Sequence, residues 1–154
     1  MRLDLGCGTN TKEGYVGLDR NENYKPDIIY DINDGLYFND VEAIWIDNSL
    51  EHFRNPYFVL SECWGALKEE GILEIIIPNY QWFPFLVIGW FIDIHKFWNW
   101  WMTLPFKKER TIHYSLWTPY TLRLVLKTLG FKIEKTKGSY LSKEYYVKAK
   151  KEKK

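Results

Sequence analysis

A chain of 154 residues that is 46% hydrophobic and 27% charged is neither disordered nor fibrous, and it holds enough apolar mass for one domain with its own core. A formal net charge of +1 gives no general attraction to nucleic acid, although residues 143–154 form a basic tail of six lysines against two glutamates, read as a solvated end or an anchor for an acidic partner. Two cysteines, Cys7 and Cys63, make no disulfide framework, no signal-peptide pattern precedes Arg2-Leu3-Asp4-Leu5, and the apolar run 83–92 is too short to span a bilayer; together these predict a reduced, cytoplasmic setting.

In chain order, short apolar strands separated by turn residues are predicted at 2–5, 15–19, 27–31, 42–47 and 72–77. Ala43-Ile44-Trp45-Ile46 and Ile75-Ile76-Ile77 are apolar on both faces, the mark of central strands in a parallel sheet. Between them, Phe58, Val59, Cys63, Ala66 and Leu67 recur at helical spacing, with Pro56 in the first turn and Gly71 past the end. Residues 80–112 form an aromatic insertion in which Trp90, Ile94, Phe97, Trp98 and Trp101 make a helical stripe. The stripe can pack on its own sheet, pair two chains, or lie on a membrane surface through residues 83–106. A homodimer is expected, because Asp93 and Glu109 sit among the basic residues there and weaken any pull toward anionic lipid. Thr118-Pro119 then opens a helix faced by Leu122, Val125, Leu126 and Leu129 and stopped by Gly130. Strands at 131–136 and 145–149, joined around Gly138, close a single α/β domain spanning 1–154.

The connections after the first three strands are too short for the helical crossovers that join parallel strands, which take about a dozen residues. One face of the N-terminal half of the sheet is therefore predicted to lack helices. Asp4-Leu5-Gly6-Cys7-Gly8-Thr9-Asn10 ends the first strand with two glycines that permit a sharp turn and close approach of a ligand. Asp19 ends the second strand, where a carboxylate can accept both hydroxyls of a ribose. Gly6, Gly8, Asp19, Asp31 and Asn48 all fall at carboxyl ends of strands, where doubly wound sheets bind their ligands. A nicotinamide site would need a third glycine at position 11, which is Thr11, and a helix to hold a pyrophosphate; a nucleoside ligand without phosphates fits better.

Leu3-Asp4-Leu5-Gly6-Cys7-Gly8-Thr9-Asn10 resembles the first motif of class I S-adenosylmethionine-dependent methyltransferases. Gly14-Tyr15-Val16-Gly17-Leu18-Asp19 resembles the second motif of a compact, type 11-like subgroup of that family. Asp27 to Ile32, Ser49-Leu50-Glu51-His52-Phe53, Ala66 to Leu73 and Leu129-Gly130-Phe131 resemble later segments in the same order. The resemblance implies a Rossmann-like, mostly parallel sheet with an antiparallel C-terminal strand, and S-adenosylmethionine as cofactor. It places Asp4, Gly6 and Gly8 around the methionine part of the cofactor and Asp19 on the ribose, with Asn10, standing where a third glycine is found in other members, also among the cofactor-binding residues. Asp31 and Ile32 would contact the adenine, and Asn48 would lie near the transferring methyl. The matches depart from the family chiefly in the missing N-terminal helices.

Methyl transfer needs an aligned nucleophile and, for a hydroxyl acceptor, a base within reach. His113 is the expected base, Asp47 a second candidate at the rim, and His52 is read as structural. The sequence carries no basic, aromatic-interleaved strand face, so a small-molecule, glycan or lipid-linked acceptor is expected rather than nucleic acid. The competing expectation is a non-catalytic module that keeps the fold for binding or assembly.

Overall fold

The computed structural model describes residues 1–79, 114–139 and 142–152; the aromatic stripe and His113 lie outside the described residues. Seven strands form one sheet: β1 (Arg2–Leu5), β2 (Val16–Asp19), β3 (Ile28–Ile29), β4 (Val41–Asp47), β5 (Leu67–Pro78), β6 (Phe131–Lys137) and β7 (Glu144–Lys151). Their order across the sheet is β3-β2-β1-β4-β5-β7-β6. The pairs from β3 through β5 are parallel, and β7 runs antiparallel to both β5 and β6. The chain moves outward from β1 to β3, then crosses back to place β4 on the other side of β1. That reversal opens a crevice at the carboxyl ends of β1 and β4.

Register explains which face holds the core. Leu3 pairs with Ile44, Ile44 with Leu73, and Leu73 with Ala149, so one row of side chains crosses four strands on the same face. All four residues are buried. Two helices cover this face: α1 (Pro56–Ala66) and α2 (Pro119–Thr128). They contribute Val59, Leu60, Cys63, Leu122 and Leu126 to the same core cluster, each large aliphatic chain adding roughly 2 kcal/mol by leaving water. Both helices start where the local chemistry says they should. Asn55 caps α1 by accepting the Phe58 N–H at 3.1 Å, and Thr118 forms a capping box with Thr121 ahead of Pro119. Gly130, at φ +96°, ends α2.

The opposite face carries the next register row, Asp4, Trp45, Glu74 and Lys148. The described elements put no α-helix on it. β1 and β2 are joined by a loop without a helix, and single 3₁₀ turns, Glu22–Tyr24 and Ile32–Asp34, follow β2 and β3. The loop itself folds back onto the sheet: the Lys12 N–H donates to Asp4 Oδ2 at 2.8 Å, and Lys12 Nζ lies 3.1 Å from the centre of the Trp45 ring and 5.0 Å from that of Tyr15. Further along, Trp45 and Tyr146 have ring centres 6.4 Å apart and the Tyr146 hydroxyl donates to Glu74. An ammonium on an indole and a polar–aromatic ladder thus take the place of crossover helices.

Most strands differ by a residue or more from the lengths expected of them, and β7 runs three residues longer, over Glu144–Lys151. β3 shrinks to Ile28–Ile29 because the Asp27 carboxylate takes the Gly17 N–H at 2.7 Å, while the Tyr30 N–H continues only to Asp19 O. β5 begins at Leu67, five residues early, through a register shift opposite Val41 and Ala43. Residues 68–70 are exposed and fall in that shift, between the Val41–Leu67 and Ala43–Ile72 pairs, so the extension leaves no apolar pattern to read.

Candidate cofactor and acceptor site

A cleft of about 340 Å³ opens at the carboxyl ends of β1 and β2 and continues along the turns after β3 and β4. Gly6, Gly8, Asp19, Asp31, Ile32 and Asn48, predicted at positions scattered over the first third of the chain, all line it. The size and the mixture of apolar walls with a few convergent polar groups suit a nucleoside-sized ligand.

The two glycines have separate reasons. At Gly6 (φ +70°) a Cβ would lie 2.7 Å from Ser49 Cβ, so the loop after β1 needs glycine to pack against the turn after β4. Ser49 is buried there and donates its hydroxyl to Leu5 O at 2.8 Å. At Gly8 (φ +56°) a Cβ would meet nothing within 4 Å; the backbone turns left-handed and faces open cleft. A side chain at position 8 would not clash with the protein. It would occupy the cleft.

Asp19 fixes this loop from the other side. Its Oδ2 accepts the Gly8 N–H at 3.0 Å and its Oδ1 accepts the Asn21 N–H at 2.9 Å. Each carboxylate oxygen keeps a second lone pair for a ligand hydroxyl. Asp31 caps the turn Ile32–Asp34, with Oδ1 accepting the Asn33 N–H at 3.0 Å and Asn33 Nδ2 at 2.7 Å. Burial raises the Asp31 pKa, but the Asn33 hydrogen bonds and the charges of Arg20 and Arg54 outweigh it and leave the carboxyl below its ordinary value. Ile32 is 3% exposed and presents an apolar wall beside it.

Three of the predicted residues stand off the cleft wall. Asp4 is 3% exposed and lies beneath the loop, anchoring Lys12. Asn10 is exposed on that loop, its N–H bonded to Cys7 O at 3.3 Å. Asp47 lies at the end of β4, next to the cleft residue Asn48. Asn48 is itself held at φ +45°, a conformation uncommon outside glycine, and its amide donates to Asp47 Oδ1 at 3.0 Å and to Glu144 Oε1 at 3.2 Å.

The sequence did not single out Arg20, Asn21, Tyr30, Phe53 or Tyr114, which also line the cleft, and it read His52 as structural although His52 lines the cleft too. Tyr114 arrives because its N–H donates to Glu51 O at 2.8 Å, a contact between segments far apart in the chain. Arg20 and Asn21 follow Asp19 directly and could have been found by extending the strand-end argument by two residues.

No protein-family model matches the chain, and no curated protein matches it. Solved structures do. A methyltransferase of Haloferax volcanii, determined in complex with the Trm112 methyltransferase activator, aligns at TM-score 0.66 and 13% identity over 99% of this chain and 82% of its own. An S-adenosylmethionine-dependent methyltransferase of Listeria monocytogenes aligns at TM-score 0.66 and 13% identity over 99% and 91%. Another from Archaeoglobus fulgidus aligns at TM-score 0.64 and 18% identity over 97% and 85%. The chain has the class I methyltransferase fold. Within that fold the cleft occupies the carboxyl ends of β1, β2 and β4. The residues present suit S-adenosylmethionine: an open-fronted glycine backs the cleft, two carboxylates hang at successive strand ends, and an apolar side chain flanks the second. When bound there, the cofactor would supply an activated methyl group on a sulfonium sulfur.

Proposed function

We propose that this protein is an S-adenosylmethionine-dependent methyltransferase acting on a small-molecule acceptor. The observation that carries the proposal is Gly8, left-handed and facing empty space, clamped by the ribose candidate Asp19 in a cleft that Asp31 and Ile32 also line. In this reading Asp19 holds the ribose hydroxyls while its bonds to Gly8 and Asn21 keep the loop in shape. Asp31 and Ile32 receive the adenine, the first through its hydrogen-bonding oxygens and the second by packing. Asn48 borders the methyl group. The acceptor approaches from the β4–β5–β7 side, where Asp47 and Asn48 stand, and His113, outside the described residues, remains the proposed base for a hydroxyl acceptor.

Amide chemical shifts of labelled protein, titrated with S-adenosylhomocysteine, test this placement. Shifts concentrated at Gly8, Asn21 and Ile32 are expected. Shifts confined to β6 and α2, or none, would contradict it.

We further propose a reduced intracellular setting, consistent with the two free cysteines, Cys7 and Cys63. Homodimerisation belongs to the same proposal. The face on which no described residue forms an α-helix carries half-buried Tyr15, Trp45, Ile72, Ile76 and Tyr146, apolar surface of the kind that interfaces cover. The structural similarity to the Haloferax volcanii protein makes an activator-type protein partner a second occupant to test against the homodimer. Among the described residues no helix is long and apolar enough to cross a membrane.

A further inference from the structure

The net charge of +1 conceals a strong separation of charge along the chain. Residues 119–154 carry eleven Lys and Arg against three Glu, whereas residues 1–118 carry ten against seventeen Asp and Glu. The fold turns this into a separation in space. Residues 19–40 hold the end of β2, the β3 edge of the sheet and the turns around it, with six acidic side chains and two basic ones. The basic residues of 119–154 fall on α2, β7 and β6, the opposite edge. Most of the basic tail is therefore no loose end, since β7 runs through to Lys151. Between α2 and β6 lies an open groove of about 420 Å³. Arg123 and Lys127 line it from the helix and Lys132 and Lys135 from the strand, with Glu134 and Glu152 as its acidic members. Register concentrates the charge further, because Lys132 stands opposite Lys150 and Lys135 opposite Lys148. Like charges set opposite one another oppose strand pairing. Glu70 pairs with Lys150 and Glu134 with Lys148, while Lys127, Lys132 and Lys135 form no ion pair among the described residues. Lysines on an edge strand also discourage the addition of another strand, but that accounts for β6 and not for the helix. α2 contains no acidic residue, and Tyr120, Arg123, Leu124 and Lys127 form its outer stripe at i, i+3, i+4 and i+7. Tyr120 is 63% exposed and Leu124 51%. A helix that turns an aromatic and an aliphatic side chain outward among cations matches the boundary of an anionic bilayer, negative at the headgroups and apolar beneath them.

We propose that this corner, α2 with the outer edge of β6, docks the protein on an anionic lipid surface. Arg123, Lys127, Lys132 and Lys135 meet the headgroup phosphates, and Tyr120 and Leu124 enter the boundary layer beneath them. The acidic half of the molecule, which holds the cleft, is turned away from the surface by the same field. A nucleic acid would engage the four cations through its phosphates but would leave Leu124 without a role. The inference does not depend on the methyltransferase reading.

The test is co-sedimentation of the full chain with unilamellar vesicles of phosphatidylcholine, alone or with about 30% phosphatidylglycerol. At about 0.1 M salt the protein is expected to bind the anionic vesicles about tenfold or more tighter, and to lose about fivefold or more of that binding at about 0.5 M. Lys132→Glu with Lys135→Glu should erase the preference, and Arg123→Gln with Lys127→Gln, which leaves β6 intact, should weaken it about threefold or more. Lys25→Glu with Arg54→Glu changes the net charge as much as the first pair, at exposed positions in the acidic half, and should keep the preference within about twofold. Leu124→Ser should weaken vesicle binding about threefold or more and leave far-ultraviolet circular dichroism unchanged. Equal binding to both kinds of vesicle, or a preference that survives both corner pairs or is erased equally by the acidic-half pair, would overturn the proposal. So would a labelled RNA duplex that binds more tightly than the anionic vesicles while Leu124→Ser affects neither, which would make the corner a nucleic-acid surface.

Discussion

At the scale of single residues, the site rests on small backbone facts with separable consequences. Gly8→Val places a branched side chain at φ +56° where no protein atom stands within 4 Å. The left-handed backbone costs about 1–2 kcal/mol, and the bulk falls in the cleft, so the variant should keep its far-ultraviolet circular dichroism and lose cofactor binding. Gly6→Ala should do the reverse at the level of folding, since its Cβ would lie 2.7 Å from Ser49 Cβ. Asp19→Ala removes a carboxylate that holds Gly8 and Asn21, and is expected to weaken cofactor binding by about 1–3 kcal/mol, measured by titration of the folded variant. Unchanged affinity would mean that Asp19 is not the ribose ligand.

Glu51 gives a residue-scale prediction about stability. Its pKa is raised from 4.5 to about 7 in the fold, so the folded chain holds a proton there that the unfolded chain has released. The stability tied to that proton is fully present below the unfolded value and declines as pH rises to the folded value, by about 3 kcal/mol at most. Glu51→Gln carries no such charge. It should therefore be more stable than wild type above neutral pH, by on the order of 1–3 kcal/mol in urea melts, with the difference vanishing near the unfolded pKa. A constant difference at all pH values would contradict burial of an ionising Glu51.

At the scale of elements, the sequence announced the helices and central strands because their signals are local. Pro56 in the first turn of α1 and Thr118-Pro119 at the start of α2 are start signals that the structure uses, and the Leu122–Leu126 spacing of α2 is buried as the periodicity requires. Thr118→Ala, which breaks the capping box, should cost about 1 kcal/mol in thermal or urea unfolding without changing cofactor affinity. The absence of crossover helices after β1 and β2 was also readable, from connection length alone. Hidden from the pattern was how the loop compensates: Lys12 reaches Trp45 and Asp4, and neither contact has periodicity to betray it. The early start of β5 was hidden for the same reason, since the exposed, charged residues 68–70 fall in the register shift between the Leu67 and Ile72 pairings and carry no apolar pattern.

At the scale of the whole molecule, the strand-end positions of Gly8, Asp19 and Asp31 were legible because the chain visits them in succession. The bridge from Asn48 to Glu144 was not, because Glu144 comes from β7, a late strand inserted antiparallel beside β5, and only the sheet order brings it there. The thin face of the sheet carries the oligomer expectation. Light scattering should find the wild-type protein dimeric at micromolar concentration, and a stable, soluble monomer would contradict the proposed dimer. The central claim, however, is the cofactor cleft, and calorimetric titration of the intact protein with S-adenosylmethionine and S-adenosylhomocysteine tests it most directly. A saturable heat with one site per chain, lost in Gly8→Val and weakened in Asp19→Ala, is the result this account predicts. No heat from either ligand at millimolar concentration, with the protein folded, would contradict it and leave a methyltransferase fold used for binding or assembly alone.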